Sequence, residues 1–116
     1  PDLTTRMTGW YTAGAEVIFA CGGPIYLSVT QAAEAAGKKV IGVDVDQSAE
    51  SKTIITSAMK ELTHSVVLAL TSYYENGGKW DEKQAGKVLT LGVNDDCVGL
   101  PTASSSWRFT KFKVWV

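Results

Sequence analysis

Two acids, Asp44 and Asp46, stand at the end of the most strongly β-forming run of the sequence, "KKVIGVDVDQS". Carboxylates in that place can accept hydrogen bonds from hydroxyls or from an amine. An earlier apolar run ends in "CGGP", where Gly22 and Gly23 let backbone come close to a ligand, with amides facing outward at the start of the next helix. The third candidate is Lys60, in "IITSAMK". With Ser57 as its cap, the spacing predicts a helix over 57–75 that has Lys60 in its first turn. A cation there opposes the helix macrodipole, at a cost of up to ~1 kcal/mol. A lysine kept in an unfavourable place beside two acids points to a polar binding site, although an ion pair with Asp44 would offset the cost without any ligand.

Each of these residues also has a plain structural role. Asp44 and Asp46 can terminate a strand and cap the next turn of chain. Gly22-Gly23 can simply make a tight strand-to-helix turn, and Lys60 can be an exposed, idle cation. Asp95-Asp96 has the chemistry of a turn. His64, the sole histidine, falls on the polar side of an amphipathic helix, and a metal site needs more ligands than it can supply. Cys21 has no histidine placed to activate it as a nucleophile. Trp10, Tyr11 and Tyr26 could stack on a ligand ring, but nothing selects them over core and surface roles. No catalytic residue, no metal and no cofactor is therefore expected.

The elements that must position these groups follow from the apolar pattern. "EVIFAC" (16–21), "KVIGVDV" (39–45) and "VLTLGV" (88–93) are near-continuous apolar runs, which suit parallel strands covered on both faces. Helical spacing fills the gaps. Leu3, Met7 and Trp10 recur weakly over 2–13, closed by Gly14. Ile25, Val29, Ala32 and Ala36 recur over 24–36, with Pro24 near the start and Gly37 just past the end. Met59, Leu62, Val66, Leu70 and Tyr73 form a stripe over 57–75 that "NGG" (76–78) stops. The order α-β-α-β-α-β predicts right-handed crossovers and a three-layer αβα domain around a parallel sheet. The tail "WRFTKFKVWV" alternates and then slips phase, as a bulge or two short strands would make it do. In such a sheet ligands bind beyond the carboxyl ends of the strands, so "CGGP", "DVDQ" and "NDDC" are expected on one edge.

Composition bounds the function. The chain has 116 residues, 45% of them hydrophobic, and a net charge of −1. That length predicts a single α/β domain over 1–116. The charge leaves no basic footprint for nucleic acid and no cationic patch for a membrane surface. No apolar run approaches ~20 residues, so no membrane-spanning helix is expected. Cys21 and Cys97 could pair or could be free small hydrophobes. A start at Pro1 is what a processed product or an excised piece would show.

Four motifs in order, "GAEVIFACGG", "AAGKKVIGVDVDQS", "IITSAMK" and "LGVNDDCVGLP", resemble the second lobe of the BMP family (basic membrane protein, PnrA-like), substrate-binding lipoproteins of ABC transporters. The "GVDVDQ" and "TSAMK" pair is the most telling, and the likeness covers residues 9–109. It implies one lobe of a type I periplasmic-binding-protein fold, in which two α/β lobes close on a ligand outside the cytoplasmic membrane and hand it to an ABC permease. It further implies a nucleoside or similar small polar ligand, with Asp44 and Lys60 on the ribose hydroxyls, Gly22 and Gly23 lining the pocket with backbone, and Asp46 at the same site in a less defined role. The departures are specific. Asp96-Cys97 stands where the family often has two glycines, Gly23-Pro24-Ile25 stands where it has "GTG", and "KFKVWV" does not continue as its terminal helix. The first lobe, with the residues that would read the base, is absent from these 116 residues. The sheet edge so exposed could pair with a second copy in a homodimer.

Two other classes compete. A Rossmann-like dinucleotide-binding enzyme would also place a glycine pair after one strand and an acid ~20 residues later, but "GGPIYL" lacks the later glycine and no catalytic His or Tyr is positioned. A receiver-like regulatory module would use an acidic pocket, but Asp95-Asp96 follows the last expected strand and not the first.

Overall fold

The computed structural model describes residues 2–101, so the expected bulge or strand pair in the tail lies outside the described residues. Those residues fall into two compact units, 2–59 with 100–101, and 60–99.

The first unit is a parallel sheet with helices on it. Helix α1 (Leu3–Thr12) is capped by Asp2, whose side chain accepts from the Thr4 N–H at 2.9 Å. Its buried residues, Met7 and Tyr11, are one turn apart and so share a face. Strand β1 (Val17–Phe19) leads through a short 3-10 turn (Gly23–Ile25) into α2 (Tyr26–Ala36). Pro24 sits in that turn, and Gly37 ends α2 in the left-handed conformation with φ 64°. Strand β2 (Lys39–Asp44) runs parallel to β1, with Phe19 opposite Ile41. A single core joins Met7 and Tyr11, Ile18, Val29, Ala32, Ala33, Val40 and Ile54, so α1 and α2 cover one face of the sheet. Ile54 is fully buried, a position whose side chain contributes about 1.5–3 kcal/mol through burial.

The next element differs from expectation. Residues 54–60 form a third parallel strand, β3 (Ile54–Lys60), and not the start of a helix. It pairs with β2 from Val40↔Ile54 to Asp44↔Met59, with a bulge between Val40 and Ile41. Ser57 and Lys60 are strand residues, so the macrodipole argument for Lys60 does not hold. The cause lies in the connection. Parallel neighbours usually need a dozen or more residues and a helix between them, whereas here residues 45–53 make the return without one. The β-branched Ile54, Ile55 and Thr56 suit a strand. The architecture is the expected class, a mixed α/β fold with a parallel sheet flanked by helices.

In the second unit, α3 (Leu62–Glu75) begins five residues later than the expected start at 57 and is C-capped by Asn76, followed by Gly77 and Gly78 at positive φ. The run "VLTLGV" is not a strand. Residues 88–92 have no regular structure, and Val93–Asp95 is a 3-10 turn. An apolar run becomes a strand only where a neighbour takes its backbone groups, and Val88 is instead 95% exposed. "NDDC" therefore ends no strand. The turn reading of Asp95-Asp96 holds: Asp95 Oδ2 accepts from the Gly92 N–H at 2.8 Å, and Asp96 has φ 53°. A two-residue strand, β4 (Val98–Gly99), comes next.

Candidate functional site

Because β1 and β2 are parallel and in register, their carboxyl ends share one rim, which gathers four of the expected residues. Beyond β1, the Ala20 N–H donates to Ile41 C=O at 2.9 Å, and the chain then turns through Cys21 and Gly22. Gly23 needs its φ of 55°, a left-handed value that suits glycine. At Gly22 a Cβ would meet only the tip of the exposed Ile25 side chain, at 2.7 Å from Cδ1, which can swing away. Asp44 ends β2, and Asp46 lies two residues on. Lys60 is the last residue of β3 and the first of the second unit.

The backbone at Asp44 is unusual. Its φ is 69°, and the Val45 N–H donates to Val43 C=O at 2.9 Å across it. A γ-turn with a positive central φ is rare and strained, and a non-glycine residue held there costs of order 1–3 kcal/mol. Such strain concentrates where a side chain must be presented. Asp46 Oδ1 accepts from the Ser48 N–H at 3.0 Å, a local turn that stiffens the loop after the strand.

Gln47, not among the expected residues, and Ser57, expected as a helix cap, shape this loop. Gln47, 8% exposed, accepts at Oε1 from the Val43 N–H at 3.0 Å, and Ser57, fully buried, accepts at Oγ from the Gln47 N–H at 3.1 Å. The signal was present in the quoted motifs, in the glutamine closing "GVDVDQ" and the serine of "TSAMK". Reading Ser57 as a helix cap hid it. The far end of the same loop is tied to α2, where Ser51 Oγ donates to Glu34 Oε1 at 2.6 Å.

The other candidates have structural surroundings of their own. Tyr11 is a core residue whose hydroxyl donates to Lys39 C=O at 2.8 Å, and burial pushes its pKa above the ordinary tyrosine value. Trp10 is half exposed. Tyr26 reaches Glu50 Oε2 only at 3.4 Å, a long contact. Cys21 and Cys97 are both free, the first exposed and the second buried. Desolvation, then the carboxylates of Asp95, Asp96 and Glu61, push the Cys97 thiol up. Among the described residues no group of three or more His, Cys, Asp and Glu side chains could hold a metal.

A parallel α/β layer with turn glycines and carboxylates beyond its strand ends falls in the class of ligand-binding α/β lobes. Comparison with known proteins narrows the class. The model of the family described as ABC transporter substrate-binding protein PnrA-like matches residues 5–115. Basic membrane protein B of Borreliella burgdorferi (strain B31) is 35% identical over 97 residues, 81% of this chain and 28% of that protein. Basic membrane protein D of Borreliella burgdorferi (strain JD1) is 37% identical over 93 residues, 78% of this chain and 26% of that protein. Basic membrane protein B of Borrelia garinii subsp. bavariensis is 32% identical over 107 residues, 90% of this chain and 30% of that protein. The chain belongs to the PnrA-like family of ABC transporter substrate-binding proteins, and it spans under a third of the length of these relatives. The family is one of substrate binders, which does not favour the Rossmann-like enzyme.

Proposed function

We propose that this chain is the solute-recognising part of an extracytoplasmic binding protein that delivers a small polar ligand, of the nucleoside type, to an ABC permease, without chemistry of its own. In this reading the complete polypeptide has a second lobe that closes over the ligand and a lipid anchor that holds it at the outer face of the cytoplasmic membrane. Asp44 accepts ribose hydroxyls, Gly22 and Gly23 offer backbone, Asp46 supports the same rim, and Lys60 donates from the end of β3.

The observation that carries the reading is the strained turn at Asp44, on the rim where a parallel sheet takes its ligands. Charge-assisted hydrogen bonds of this kind contribute about 1.5–3 kcal/mol each. Family membership supports the substrate-binding role. The test is calorimetry of the complete polypeptide with nucleosides and, separately, with nicotinamide dinucleotides. Nucleosides are expected to bind, and Asp44→Ala to weaken them at least ~10-fold, or about 1.4 kcal/mol, with the fold intact. Heat from the dinucleotides alone refutes the reading, and unchanged nucleoside affinity in Asp44→Ala removes Asp44 from the pocket.

A further inference from the structure

Gly42, Gln47 and Ser57 form one packed device behind the rim. A Cβ on Gly42 would lie 2.6 Å from both Gln47 Oε1 and Ser57 Oγ, and 3.2 Å from Gln47 Cβ. Only a glycine leaves room for the Gln47 side chain to fold back over β2. There its Oε1 takes the Val43 N–H, while its own N–H is held by Ser57 Oγ. Between these two anchored points lies Asp44, at φ 69°.

The loop does not need this device for tethering. Ser51 already fixes its far end to Glu34 of α2, and Ser51 and Thr53 hydrogen-bond to each other at 2.8 Å. What Gln47 adds is local. It fixes the amide of Val43, the residue whose carbonyl closes the turn around Asp44.

Resting on the reading of Asp44 as a ligand group, we propose that Gln47 is a positioning residue. Through the Val43 amide it holds Asp44 in its left-handed turn and so presents the carboxylate beyond the strand ends. Gly42 supplies the space and Ser57 the anchor. The "GVDVDQ" and "TS" segments are then one mechanical unit, the first carrying the acid and its clamp and the second holding the clamp.

The test uses two variants of the 116-residue chain. Gln47→Met keeps the length and loses the acceptor, and Gln47→Glu keeps an acceptor oxygen. Without any ligand, amide hydrogen exchange is read at Val43 against Val40 and Ile41 of the same strand. Gln47→Met is expected to speed exchange at Val43 at least ~10-fold with Val40 unchanged, and Gln47→Glu to restore protection. Unchanged exchange at Val43 overturns the proposal. Equal loss of protection along all of β2 also overturns it, because Gln47 is then only a core residue.

The second readout is calorimetry of the complete polypeptide with each of adenosine, guanosine, cytidine and uridine. Gln47→Met is expected to weaken binding roughly fivefold and to add nothing on an Asp44→Ala background, since it acts through that carboxylate. Equal effects in both backgrounds refute the positioning role. If the complete polypeptide binds none of the four, the nucleoside reading and the ligand half of this proposal fall together, and the Val43 result alone decides whether Gln47 holds the turn.

Discussion

Replacing Gly42 by alanine adds one methyl group at the most crowded point behind the rim. The added carbon would meet Gln47 Oε1 and Ser57 Oγ at 2.6 Å each, closer than real Cβ contacts allow. Ser57 is fully buried on a paired strand and has little room to retreat. Gln47 must therefore swing out, which leaves the buried Val43 N–H without its acceptor. An unsatisfied buried donor costs about 1–3 kcal/mol, and forcing a methylene-sized group into a packed site costs a similar 1–3 kcal/mol. Gly42→Ala should then destabilise the first unit by roughly 2–6 kcal/mol on these two counts. The control is Gly9→Ala, in the middle of α1, where a Cβ meets nothing within 4 Å. That change should stabilise by roughly 0.5–1 kcal/mol through helix propensity. Urea unfolding followed by far-UV circular dichroism measures both. The packing argument is refuted if the two variants shift the midpoint in the same direction, or if Gly42→Ala matches the unmodified protein while Val43 stays protected from exchange.

Two further outcomes concern perturbed groups. Tyr11 has its pKa raised by burial, so the folded state holds its proton to higher pH than the unfolded chain does. Its contribution is fully present below the ordinary value of 10.0 and is lost as pH rises through that value towards the folded one. Thermal melts of the unmodified protein should therefore fall over that window by more than those of Tyr11→Phe, and parallel curves would contradict the assignment. The two thiols should also differ in reactivity: iodoacetamide should modify exposed Cys21 well before Cys97, which is buried and has its pKa raised by desolvation and nearby carboxylates. Mass spectrometry of the partly alkylated chain reads the order, and faster labelling of Cys97 would overturn it.

The first half of the fold was legible because its signals are local. Met7, Val29 and Ala32 repeat at helical spacing, Gly37 marks an αL stop, and Ile18, Val40 and Val43 sit in apolar runs that parallel strands require, whereas the expected Trp10 is half exposed and its neighbour Tyr11 takes the buried place on α1. The second half was harder for two physical reasons. The sequence "IITSAMK" borders a true helix, and its Met59 continues that helix's stripe, so periodicity alone could not separate strand from helix. The run "VLTLGV" has strand composition, but propensity in a strand depends on a neighbour to pair with. The rim itself was legible in Gly22, Gly23, Asp44 and Asp46, since strand ends can be read from where apolar runs stop. Gln47 and Ser57 were legible only as letters of the two motifs, because neither the fold-back of Gln47 over β2 nor its bond to Ser57 leaves a periodic trace. Lys60 ends β3 and opens no helix, so its charge does not sit in a first helical turn against a macrodipole.

The direct link from β2 to β3 has a consequence for how the chain folds. A parallel pair joined through a helix must wait for that helix to form and dock, whereas residues 39–60 close over the short span 45–53, at a small loop entropy. Acid, clamp and anchor all lie within this one contiguous segment, so they can be brought together as soon as it closes.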